Sequence, residues 1–96
     1  VCVDLTECRR QIDEIDRELT QLLEQRLHLV AQVACYKKAQ HMEIFDPRRE
    51  AAVLKRIAAL ANNGELAPYL QNIYRCIMAE SKNYEAEKME DIWVTK

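Results

Sequence analysis

The sequence is poor in the residues that turn a chain. One glycine and two prolines occur in 96 residues, too few for the tight turns of a β-sandwich or barrel, and those classes are excluded. Gly64 has no glycine neighbours, so no phosphate-cradling loop or dinucleotide fingerprint can form around it. No apolar run approaches the roughly 18 residues that would span a membrane, and no membrane association is expected. Residues 1–10 contain Asp4 and Glu7 but no apolar stretch, unlike a secretory signal. The chain starts on Val1 rather than methionine, as expected of a processed chain or a piece of a longer one. An excess of cations is also missing. Fourteen Lys and Arg against sixteen Asp and Glu give a net charge of −2, whereas a nucleic-acid binder of this size would be basic.

Metal-ligand patterns are absent as well. Cys2, Cys8, Cys35 and Cys76 form no C-x-x-C pair, and His28 and His41 are not spaced to complete a site with them. No metal and no cofactor are expected. The four thiols read as small, reduced, mostly buried side chains of a cytoplasmic protein.

What is present is a helical pattern. The composition, 49% hydrophobic and 31% charged, suits one globular domain spanning residues 1–96. No glycine or proline interrupts Thr6 to His41, and a helix over about 6–41 is predicted, capped by Thr6 with Asp4 as the rival. Cys8, Ile12, Ile15, Leu19, Leu22, Leu29, Val33 and Tyr36 recur in steps of three, four and once seven. That is a heptad stripe, with Arg26 in the gap. Asp46-Pro47 is a cap followed by a natural first helical residue, and a second helix over 47–61 turns Val53, Leu54, Ile57 and Leu60 inward. Asn62-Asn63-Gly64 stops it. Pro68 opens a third helix, over 68–91, with Leu70, Ile73, Tyr74, Ile77 and Met78 on its apolar face.

The fold class is therefore all-α, with one long and two shorter helices. A 36-residue helix would be about 54 Å long, whereas a compact chain of this size has a diameter near 32 Å. Without a proline or glycine to kink it, the long helix needs a second chain along its stripe. An entwined homodimer with two-fold symmetry is expected.

Polar residues interrupt these apolar faces. Arg26 between Leu22 and Leu29 is costly unless something anionic meets it; alone it reads first as a structural ion pair or a snorkelling side chain. Lys37 lies eleven residues on, about 20° round and roughly 16 Å along the helix, though it also suits a solvated helix end. Asp46, Arg49 and Glu50 open the second helix, where acids are ordinary. Ser81 and Glu85 continue the stripe of the third helix, which fits an apolar face fraying into water as well as it fits a site. Together they describe a polar pocket lined from three helices, richer in cations than in acids. No Ser-His-Asp or Cys-His set is available. Such a pocket suits a small, multiply anionic ligand, and any catalysis would come from positioning and electrostatics.

Through these residues the chain resembles the all-helical, AroQ-class chorismate mutases, of the type found at the N-terminus of bacterial bifunctional prephenate enzymes. The likeness runs from Leu5 to about Lys88. Its most specific parts are R-x-x-I-D-x-I-D over Arg9–Asp16, L-L-x-x-R ending at Arg26, Lys37, D-x-x-R-E over Asp46–Glu50, Glu80-Ser81 and Glu85. The resemblance implies a cofactor-free Claisen rearrangement of chorismate to prephenate in aromatic amino-acid biosynthesis. It implies that Arg26 and Arg9 bind the two substrate carboxylates, with Arg9 reaching into the partner's site. It further implies that Lys37 and Glu85 face the ether oxygen as catalytic groups, that Asp46, Arg49 and Glu50 hold the ring side, and that Ser81 supports a carboxylate. Position 85 is often glutamine in the family, and glutamate there makes protonation part of the mechanism. Ile92 to Lys96 lie beyond the likeness. An isochorismate–pyruvate lyase on the same fold and a non-catalytic helical dimer are the alternatives, and D-x-x-R-E favours the mutase.

Overall fold

The computed structural model describes the backbone of residues 4–94 and the side chains of residues 4–90. Among these the chain forms three helices and no strand: α1 (Leu5–Ala39), α2 (Pro47–Leu60) and α3 (Ala67–Val94), with one 3₁₀ turn at Gly64–Leu66 ahead of α3. The all-α architecture with one long helix is as expected.

Local signals account for the boundaries. Asp4, rather than Thr6, holds the cap position of α1, and it acts through its backbone carbonyl, which accepts from the Cys8 N–H at 3.0 Å. Thr6 lies inside the helix. At the other end no glycine is available, and His41 takes the left-handed conformation itself, with φ 57°. Asp46 Oδ1 accepts from the Arg49 N–H at 3.1 Å and Pro47 is the first helical residue, as the dipeptide predicts. The Asn63 side chain accepts from the Glu65 N–H at 3.0 Å and opens the 3₁₀ turn.

α3 packs against both other helices. Val53 and Ile57 of α2 and Met78 of α3 form a buried cluster, with Leu54, Leu70 and Tyr74 against it. Gln71 Nε2 donates to the Leu54 carbonyl at 3.0 Å across the same seam. Leu60 and Ile73, both expected inward, are exposed instead, because the single chain encloses only this narrow seam.

The outline explains why. Cα extents are 58 × 27 × 14 Å and the radius of gyration is 17.0 Å, against about 12.5 Å for a compact chain of this length. α1 alone, 35 residues, accounts for about 52 Å of the long axis. Residues 9–22 are exposed without exception. The stripe residues Ile12, Ile15, Leu19, Leu22, Leu29, Val33 and Tyr36 keep between 46% and 62% of their surface in solvent. The face that α1 turns to its own chain is a different one, with Leu23, Arg26, Leu27, Val30 and Lys37 half-buried and Ala34 fully buried.

Cys35 and Cys76 are exposed and Cys8 half-buried, which corrects the expectation of mostly buried thiols; Cys2 lies outside the described residues. The free half of α1 carries surface ion pairs, Arg10 with Glu7 at 2.6 Å and with Glu14 at 2.7 Å. The Arg10 guanidinium, with help from Gln11, holds the Glu7 carboxyl below its usual range. No helix among the described residues is long and apolar enough to cross a membrane.

Candidate active site

Among the described residues, two polar side-chain contacts join α1 to α3. Arg26 Nη1 donates to Ser81 Oγ at 2.7 Å, and Lys37 Nζ lies 3.1 Å from Glu85 Oε1. Both partners advance along their helices together, so α1 and α3 run in the same direction where they meet. The rise of eleven residues on α1, about 16 Å, exceeds that of four on α3, about 6 Å, and leaves space between the pairs. α2 and the 40–46 connection close that space into a cavity of about 110 Å³. Its lining includes Arg26, Lys37, Asp46, Arg49, Glu50, Ser81 and Glu85, with Val30, Ile44, Val53, Met78 and Lys82.

Several of these polar groups are held. The Ser81 hydroxyl donates to the Ile77 carbonyl at 2.7 Å, so a lone pair of its oxygen is what receives Arg26. Lys37 Nζ donates to the Ile44 carbonyl at 2.7 Å, tying the end of α1 to the connection that follows it. Ser81 and Glu85 are each only 6% exposed. That rules out the reading of a face fraying into water. It also places Lys37 away from a solvated helix end, its side chain being 13% exposed. Glu85 Oε1 is fully buried and makes no hydrogen bond among the described residues. The Lys37 ammonium at 3.1 Å faces it off the hydrogen-bonding direction. Such a pair gains little stability, since desolvating two charges costs about what their attraction returns. A buried acid and base side by side on a cavity wall are of more use to a ligand that carries charge of its own.

Seven of the eight residues singled out in the sequence thus share one cavity. Arg9 does not. It lies in the exposed stretch of α1, seventeen residues or about 25 Å from Arg26. Asp46 serves both readings, since it caps α2 and lines the cavity. Two contributors were missed. Lys82 pairs with Glu50 at 3.0 Å and lies 4.5 Å over the Phe45 ring. Its spacing of four from Met78 was a usable signal. The Ile44 carbonyl had none, because a backbone acceptor is the same at every residue.

A second cavity, about 250 Å³, lies beyond the Arg26–Ser81 contact and is bounded by Leu23, Leu27, Cys76 and Ile77. It is the larger of the two, but its surface is apolar and offers an anion little besides Arg26. Among the described residues no group of three or more His, Cys, Asp or Glu could hold a metal ion.

The family model described as chorismate mutase type II matches residues 8–86. The chain is 37% identical over 88% of its length to the T-protein of Enterobacter agglomerans, and 38% identical over 80% to the T-protein of Haemophilus influenzae. It spans 23% and 21% of those two proteins. It is also 28% identical to the chorismate mutase of Methanocaldococcus jannaschii, over 91% of this chain and 89% of that one.

Proposed function

Since the chain belongs to the chorismate mutase type II family, we propose that its cavity catalyses the Claisen rearrangement of chorismate to prephenate. The observation that carries this reading is the buried Lys37–Glu85 pair, 3.1 Å apart, facing one cavity with a Ser81-braced Arg26. The reaction breaks a C–O bond and forms a C–C bond in one cyclic step, and it needs neither a nucleophile nor a cofactor. The enolpyruvyl arm must fold over the ring, and arginine–carboxylate contacts hold it there. Arg26 supplies one of these. Negative charge grows on the ether oxygen as the bond breaks. Lys37, together with Glu85 in its protonated form, hydrogen-bonds that oxygen and lowers the barrier. Asp46, Arg49 and Glu50 hold the ring side, and Ser81 braces the guanidinium that binds the carboxylate.

The second carboxylate is left to the partner subunit's Arg9. In this reading the chain is a homodimer whose long helices cover one another's exposed stripes. Arg9 projects from a stretch its own chain leaves bare, and Arg26 lies about 25 Å away, so one small molecule cannot bridge the two within a subunit. The unpaired thiols of Cys8, Cys35 and Cys76 suit the reducing cytoplasm in which such an enzyme would work.

Incubation of the pure protein with chorismate tests the reading. Its absorbance should fall, with prephenate as the product. Salicylate and pyruvate formed from isochorismate would assign the cavity to the lyase, and no loss of either substrate would leave a non-catalytic helical dimer.

A further inference from the structure

Lys82 has three relations that the proposed mechanism does not use. Its ammonium pairs with Glu50 Oε2 at 3.0 Å, stands 4.5 Å over the Phe45 ring, and lines the catalytic cavity. Glu50 is in the first turn of α2, and Phe45 is in the connection that leads to it. One α3 side chain therefore holds both the start of α2 and the 40–46 connection. That connection also supplies the Ile44 carbonyl that fixes Lys37.

The charge count gives Lys82 a second consequence. Along the cavity wall Arg26, Lys37 and Arg49 are balanced by Asp46, Glu50 and Glu85. Lys82 is a fourth cation on that wall and adds to its attraction for an anion. It is placed against Glu50, and the pair keeps 34% and 26% of its side-chain surface in solvent. Without it an uncompensated Glu50 carboxylate would face an incoming anion.

From these relations we infer that Lys82 is a positioning residue of the active site, which pins the 40–46 connection to α3 and masks Glu50 so that a dianionic substrate can enter. This rests on chorismate being the substrate. The role acts on capture of the dianion rather than on the bond-breaking step. Its signature is therefore a change in KM, sensitive to salt, at nearly constant kcat.

Steady-state kinetics with chorismate on wild type, Lys82→Gln, Lys82→Met and Lys82→Arg test it, at ionic strengths of about 0.01 M and about 1 M, where charges are screened over ~30 Å and ~3 Å. Lys82→Gln and Lys82→Met should each raise KM at low salt by about 5- to 10-fold, the order that Coulomb attraction between one cation and a nearby dianion gives in a water-like dielectric. The difference from wild type should narrow to about 2-fold or less at high salt, with kcat within about 2-fold throughout. Lys82→Arg keeps the charge, the carboxylate contact and the stacking on an aromatic ring, and should restore a near-wild-type KM. Phe45→Leu should raise KM by about 2-fold at either ionic strength, because it loosens the connection without removing charge.

An unchanged KM in both neutral variants at low salt overturns the inference. So does a loss of kcat that is equal at both salt levels, since that marks a structural role only. Failure of the parent reading is distinguishable, because wild type itself would then leave chorismate unchanged.

Discussion

At the scale of single residues, the chemistry concentrates in Glu85. The residue is 6% exposed, has Lys37 at 3.1 Å, and shares the wall with Arg49 and with the acids Asp46 and Glu50. A carboxylate cannot donate to the ether oxygen and would repel the charge growing there; a carboxylic acid can donate. Glu85→Gln always carries a donor, so it should keep at least the wild-type kcat/KM. Glu85→Ala removes the donor and should cost about 3 kcal/mol in kcat/KM, the order of a lost oxyanion-hole donor. Steady-state kcat/KM of wild type and both variants with chorismate decides the matter. An Ala variant as active as wild type removes Glu85 from the mechanism.

Among the elements, the end of α1 is built without the residue that usually ends a helix. His41 has φ 57°, a conformation that costs an L-residue about 1–2 kcal/mol and glycine almost nothing. Part of that gain is offset, because glycine gives the unfolded chain more freedom. His41→Gly should stabilise the protein by about 0.5–1 kcal/mol, seen as a rise of a few degrees in Tm with the helical circular-dichroism signal unchanged. A lower Tm would mean that the imidazole holds the connection in a way its backbone does not reveal. α2 shows the opposite case, since Asp46 and Pro47 occupy the positions at its start that their chemistry favours.

For the molecule as a whole, a 14 Å thickness and a bare apolar stripe mean that one chain has too little interior. Sedimentation at micromolar concentration should give a folded species of two chains, near twice 11.3 kDa. Arg9→Ala and Arg26→Ala should each lose most activity while keeping their helicity. Mixing the two and allowing subunits to exchange should restore part of the turnover. In the mixed dimer one site lacks both arginines and the other keeps both. Exchange proven without recovered activity would confine each site to one subunit, and a folded 11 kDa monomer would remove the dimer.

Much of this protein is determined locally, and the sequence by itself decided that part. Helix periodicity, the Asp46-Pro47 start, the Asn62-Asn63-Gly64 stop and an uninterrupted α1 each depend on residues a few positions apart. The same arithmetic put Arg26 and Lys37 on one side of α1. The rotation of α1 against α3 lay outside such signals, because α1 carries two apolar faces, one through Leu22 and Leu29 and one through Leu23, Leu27 and Ala34. Spacing within a helix fixes the angle between its own side chains but not which of them meets a neighbour. Only tertiary packing turned the second face inward, left the heptad stripe bare, and buried Ser81 and Glu85 against Arg26 and Lys37. It also brought Lys82 across to Glu50 and Phe45, contacts over more than thirty residues of sequence that no local pattern encodes.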